Sequence, residues 1–217
     1  MTAISQPMTL VVDQGTHASR ALLFDVQGRV RQGAYARVAL KRIAADVVEQ
    51  DAGEILASVH TVIEQILKSP GGRNADLASA GLATQRSSVL AWDLRNGLPL
   101  SPVLSWQDRR NADLIGNLNA YRRTIRQISG LQLSPHYGAS KIRWLLDHST
   151  PVRNALKKGC LAVGPLAAYL VSQLVQGRAY VVDHANALRT QLLNLDRLEW
   201  DPRLLELFGV PRHLLPE

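Results

Sequence analysis

The chain begins with two short apolar runs, each closed by an acid. Thr9-Leu10-Val11-Val12 ends at Asp13, and Ala21-Leu22-Leu23-Phe24 ends at Asp25. The spacing predicts strands over 10–12, 20–25 and 30–38, joined as a meander. Gly28 stands where the turn between the second and third strands requires positive φ. The period then changes. Ile55, Leu56, Val59, Ile63, Ile66 and Leu67 recur at helical intervals, with Asp51 in the N-cap place. A loop over 69–77 and two short apolar runs on either side of Thr84-Gln85-Arg86-Ser87 come next. A turn over 94–100 and a helix from Ala112 complete the first half.

The second half is mostly helical in pattern. Ile142, Leu145 and Leu146 mark one face of a helix over 140–148. The strongly apolar stretch over 163–175 reads as another helix, with Gly177 as its C′ residue. "AYVVDHANALRTQLLNLDRLEW" reads as a strand-like run, a loop and a further strand. Asp201-Pro202 opens a last helix. The final "LLELFGVPRHLLPE" is apolar for a terminus, so it is expected to dock on its own domain or to drive homo-oligomer formation. No solenoid-period repeat and no low-complexity tract interrupts the chain.

Composition narrows the class. With 217 residues and 46% hydrophobic content the chain can bury a real core. A single cysteine, Cys160, rules out an internal disulfide and suits a reducing, cytoplasmic home, where it would pack as a small hydrophobe. The opening "MTAISQPMTL" lacks the basic and apolar regions of a signal peptide, and no apolar run nears the roughly 20 residues of a membrane span. The expectation is a soluble protein with no membrane partner. A net charge of +7 invites nucleic acid, yet the basic residues are dispersed and lack the aromatic interleaving of single-strand binders. A small anionic ligand or an acidic partner domain explains the charge as well, and no nucleic-acid partner is expected. The six histidines form no HExxH or other zinc set.

Between the first two strands, "VVDQGTHASRALLFD" places an acid and a Gly-Thr turn. Ordinary hairpin chemistry accounts for this pattern. A turn rich in backbone N–H groups also holds anions, and an Asp at a strand end can position a hydrated divalent cation. The stretch is neither a Walker loop nor a dinucleotide fingerprint. On the residues alone both readings stay open.

Four colinear blocks then add a resemblance. "DQGTHASRALLFD", "GLATQRSSVLAWDLRNGLPLSPVLSWQDRRN", "SGLQLSPHYGASKIRWLLD" and "GRAYVVDHANALRTQLLNLDRLEWDPRLLELFGVPRHLLPE" resemble successive blocks of the FGGY carbohydrate kinases, the glycerol kinases most of all. The resemblance implies an α/β, ribonuclease H-like (actin-like ATPase) domain, a mixed β-sheet flanked by helices. It implies a tail over 1–7 and an FGGY N-terminal domain over 8–217, with the second, ATP-binding domain absent from this chain. The implied activity is ATP-dependent phosphorylation of a sugar or polyol hydroxyl.

The same resemblance implies roles, residue by residue. Asp13 matches the acid that holds Mg through water; Gly15, Thr16 and Arg20 match the turn and base that face the ATP phosphates. Arg86, Ser87, Trp106 and His136 match the acceptor pocket. Several positions depart from the glycerol kinase pattern. His17 and Ala18 replace hydroxylic residues, Ser87 replaces a Glu, and His136 replaces a Tyr. These changes argue against strict glycerol specificity, because a site built on hydroxyl partners discriminates strongly. Asp108, Arg109 and Arg110, and likewise Asp183, Asn186 and Arg189, match family blocks and read as scaffold. The family's catalytic base, an Asp in a Gly-Asp-Gln-type motif, has no match here, since the one Asp-Gln pair is Asp13-Gln14. The isolated chain is therefore expected to be inactive. A second reading is an incomplete kinase remnant that binds a polyol or a protein.

Overall fold

The computed structural model describes residues 7–73 and 75–217. The expected tail falls almost wholly outside the described residues, as does Asn74 of the expected loop. The chain opens with strands β1 (Pro7–Gln14), β2 (Ala18–Phe24) and β3 (Val30–Arg37), then β4 (Lys41–Arg42) and β5 (Val48–Gln50). Helix α1 (Ala52–Lys68) follows, then β6 (Asp76–Thr84), β7 (Val89–Asp93) and β8 (Val103–Leu104). Helices α2 (Ala112–Asn117), α3 (Arg122–Ser129), α4 (Gly138–His148) and α5 (Thr150–Lys157) lead to β9 (Leu161–Pro165) and α6 (Leu166–Leu174). The last elements are α7 (His184–Leu188), β10 (Leu193–Asn194), β11 (Glu199–Trp200) and α8 (Pro202–Phe208).

The chain divides into two compact units. The first comprises the described residues up to Leu40 together with Asp51–Gln85; the second comprises Lys41–Gln50 and Arg86–Glu217. In the first unit the strands form a mixed sheet of order β3-β2-β1-β6, in which β1 pairs antiparallel with β2 and parallel with β6. Alternation in β1 and β2 sends Leu10, Val12, Ala21 and Leu23 to one buried face. Helix α1 supplies Ile55, Val59, Val62 and Ile66, all with no exposure. The stripe runs through Val62 rather than the expected Ile63, and Leu67 is solvent-facing, since a 3.6-residue period admits only one narrow face. Asp51 caps the helix by accepting from the Glu54 N–H at 2.9 Å, and Gly28 takes φ +74° in the predicted turn. Strand β6 lies at the sheet edge and is exposed along most of its length.

The second unit is built on an antiparallel sheet of order β4-β5-β8-β7-β9, packed with helices α4 and α5 and the C-terminal elements. Two expectations need correction here. The apolar stretch over 163–175 is not one helix: Val163–Pro165 belongs to β9, which pairs with β7 from Val89↔Pro165 to Asp93↔Leu161. A strand buried on both faces is continuously apolar and cannot be told from a buried helix by period. Helix α6 starts only after Pro165, and its cap is Val175, two residues before Gly177. The strand-like run near Val181 is not a strand. Its backbone instead pairs locally with the last residue, Val182 N–H to Glu217 O at 2.9 Å and Glu217 N–H to Tyr180 O at 3.0 Å, while the expected loop after it forms α7. The apolar C-terminal segment docks on its own unit, with Phe208, Val210, Leu214 and Leu215 in the core.

Candidate functional site

In the first unit the candidate residues sit on one hairpin. Asp13 is the penultimate residue of β1 and lies in register with Arg20 of β2. Their side chains pair at 3.5 Å, and both remain about half exposed. An ion pair of that exposure contributes of order 1 kcal/mol or less, so a ligand can take either partner at little cost. The Arg20 guanidinium also lies 6.0 Å from the Tyr35 ring centre, its register neighbour on β3. The turn itself is closed by the Gly15 N–H, which donates to Ala18 O at 2.8 Å. That N–H is therefore engaged within the turn. Below it Gln14 is fully buried, its amide donating to Gly15 O at 2.7 Å and accepting from Gln85 Nε2 at 3.1 Å. Thr16 is half-buried at the tip.

The second unit gathers the acceptor-side candidates. Ser87 is buried at φ +66°, a left-handed conformation rare outside glycine and asparagine. Its hydroxyl accepts from Arg189 Nε at 3.2 Å, and Arg189 Nη2 donates to His136 Nε2 at 2.8 Å. The Arg189 guanidinium lies 4.8 Å from the centre of the Tyr137 ring. Trp106 stands edge-on to His136 at 5.7 Å and keeps 36% of its surface exposed. Its backbone N–H is held by Ser88 Oγ at 3.0 Å. Underneath, the ammonium of Lys141, in the first turn of α4, donates to the carbonyls of Ser87, His136 and Tyr137. One buried cation thus joins the loop just before its own helix to Ser87, which lies 54 residues from Lys141 in the chain.

Burial and neighbouring charge set the protonation of this cluster. Burial, reinforced by the charges of Lys141 and Arg189, lowers His136 to about 4, so its ring is neutral near pH 7. The neutral ring accepts at Nε2 and carries its proton on Nδ1. Lys141 is lowered to about 7, chiefly by burial, with Asp108 opposing and Arg110 and Arg189 adding to the effect.

Of the expected residues, Ser87, Trp106 and His136 come together. Arg86 precedes Ser87 and is exposed, and among the described residues no ion pair includes it. The Asp-Arg-Arg run proves structural in two of its members. Asp108 is fully buried, accepts the Val48 N–H at 2.8 Å and pairs with Arg110, which also binds Glu49 at 2.7 Å. Asp183 caps α7 through the Asn186 N–H at 2.9 Å. Arg189 is the exception, because it reaches the cluster rather than the scaffold. Arg189, which the sequence pattern reads as scaffold, and Lys141, which it does not single out, are the two further residues that the structure brings into this cluster. Two surface cavities, of about 410 Å³ beside Trp200 and Arg212 and about 520 Å³ along α1, include none of these residues.

Among known proteins, the family model for the N-terminal domain of the FGGY family of carbohydrate kinases matches residues 8–217. The chain is similar to the glycerol kinase of Natranaerobius thermophilus, 35% identical over 214 residues, which are 98% of this chain and 43% of that protein. It is 37% identical over 210 residues to the glycerol kinase of Acinetobacter baylyi, covering 96% of this chain and 42% of that protein. In fold it is similar to the Plasmodium falciparum glycerol kinase crystallised with ADP, with a TM-score of 0.88 at 24% identity, over 98% of this chain and 43% of that one. It is also similar to a xylulose kinase of Lactobacillus acidophilus, with a TM-score of 0.83 at 20% identity, over 97% of this chain and 41% of that one. The expected α/β, actin-like ATPase class therefore stands. The chain spans under half the length of the relatives it matches.

Proposed function

Because the chain belongs to the FGGY family of carbohydrate kinases, we propose that it supplies the phosphate-turn and acceptor residues for ATP-dependent phosphorylation of a sugar or polyol hydroxyl. The observation that carries this reading is the cluster of Ser87, His136, Arg189 and Lys141 beside the half-open face of Trp106. An aromatic wall with fixed donors and one neutral imidazole suits a polyhydroxylated chain, which needs paired hydrogen-bonding partners and a flat apolar surface. Arg86 is assigned to acceptor hydroxyls, with Ser87 leaving the pocket wider than a carboxylate would.

On the nucleotide side, Arg20 and Thr16 are assigned to the ATP phosphates together with the Gly15 turn. Asp13 is assigned to Mg through water. The half-exposed carboxylate, held only by a weak pair, fits an outer-sphere role, where one acid and several waters serve a hard cation. When bound, Mg neutralises phosphate charge during transfer. The base that takes the acceptor proton is not matched by any residue of this chain, and the chain alone is assigned at most trace turnover. The departures at Ser87 and His136 favour a second reading, a non-catalytic polyol-binding remnant. The lone buried Cys160 is at home in a reducing cytoplasm, where this reading places the protein.

Calorimetric titration of the chain against a polyol panel and against MgATP tests the proposal. Polyol affinity is expected in the millimolar range, about −4 kcal/mol. Arg86→Ala should abolish polyol binding, whereas Asp13→Ala should spare it and weaken only Mg-nucleotide. Loss of both ligands in both variants, with fold intact, would defeat the assignment. Robust turnover by the chain alone would defeat the assigned incompleteness.

A further inference from the structure

The charges around the acceptor cluster are unevenly matched. Its two acids, Glu49 and Asp108, both accept from Arg110 Nη2 at 2.7 Å, and Asp108 is fully buried. Lys141 is satisfied by backbone carbonyls. Arg189 has only neutral partners: the Ser87 hydroxyl, the His136 ring nitrogen and the Tyr137 ring face. Among the described residues no ion pair includes Arg189. Two of its N–H groups are committed, and the guanidinium fork has more to give.

A half-buried guanidinium that faces neutral groups gains most from an anion. Charge-assisted hydrogen bonds are roughly twice as strong as neutral ones, and the planar fork matches a carboxylate in two parallel bonds. Ser87 is short and uncharged, so nothing on the protein side fills that role beside Arg189 Nε. We infer that the acceptor of this half-site carries a carboxylate on its hydroxylated chain, and that Arg189 is the residue that binds it. The hydroxyls lie toward Trp106 and His136, and the acid end sets which hydroxylated compounds are accepted. This inference rests on the acceptor-pocket reading of the second unit and narrows its substrate class to sugar acids and other polyhydroxy acids.

The test uses matched pairs that differ only in one oxidised end: glycerol against glycerate, and glucitol against gluconate, with acetate as the bare anion. Each is titrated into the chain by calorimetry or NMR. The acid of each pair should bind at least about tenfold more tightly than its alcohol, and acetate more weakly than either acid. Arg189→Gln should erase the preference. Ser87→Glu should erase it too, by giving Arg189 an internal carboxylate, and this variant decides the matter if Arg189→Gln does not fold. Equal binding of both members of each pair overturns the acid-bearing acceptor while the acceptor pocket stands. Acetate binding as tightly as the acids likewise overturns it, since the hydroxyls would then be unread. Binding of no pair member overturns both readings together.

Discussion

At the scale of single residues, the cluster of Ser87, His136 and Arg189 rests on Lys141, a cation almost wholly removed from water. Its folded value near 7 lies below its ordinary 10.5, and burial is the main cause. Between those values the unfolded chain binds the extra proton, so stability rises with pH across the window. Below about 7 both states are protonated, and the buried charge costs its full amount. Lys141→Met should flatten this rise, whose upper bound is roughly 5 kcal/mol. Urea midpoints of the parent and the variant from about pH 6.5 to about pH 10 measure it. Parallel slopes would show that Lys141 does not carry the proton. His136 acts with the same sign in a lower window, between 6.5 and about 4, where acidification removes stability. Because the ring is half-exposed, that loss is of order 1 kcal/mol.

At the scale of elements, close approach decides the start of α4. A side-chain carbon at Gly138 would lie 2.9 Å from Val89 Cγ1 and 3.2 Å from Thr190 Cα. The glycine lets β7, α4 and the segment after α7 converge on Lys141, the Gly138 N–H meeting Arg189 O at 3.2 Å. Gly138→Ala should destabilise the protein by about 1–3 kcal/mol through overpacking. It should also weaken polyol binding, because the shift displaces Arg189 and His136 together. Thermal melting together with the polyol titration checks both effects. A variant that melts lower yet binds unchanged would separate the packing of α4 from the pocket.

At the scale of the molecule, the division into two compact units predicts two patterns of local stability. The first unit relies on a single helix over one sheet, and its edge strand β6 is exposed. The second has the larger core, closed by its own C-terminal segment. Ile55→Ala removes a fully buried side chain under α1 and should cost about 2–5 kcal/mol. Native-state hydrogen exchange should register that loss in α1, β1 and β2, with β7 and α4 largely unchanged. An equal loss in both units would mean that the chain unfolds as one.

What the sequence determined by itself was local or motif-bound. The meander, the Gly28 turn, the Asp51 cap, the existence of α1 and the family blocks were all legible, whereas the exact buried stripe of α1 was read partly off its true face. Periodicity reports which face is buried, and caps and turns answer to their nearest neighbours. The tertiary structure alone decided that 161–165 is a strand, because a segment buried on every side carries no period to read. It alone decided that Arg189 meets Ser87 across 102 residues and that Lys141 reaches the carbonyl of Ser87 across 54. Such contacts depend on where separate parts of the chain cross, and hydrogen bonds made there leave no spacing in the sequence.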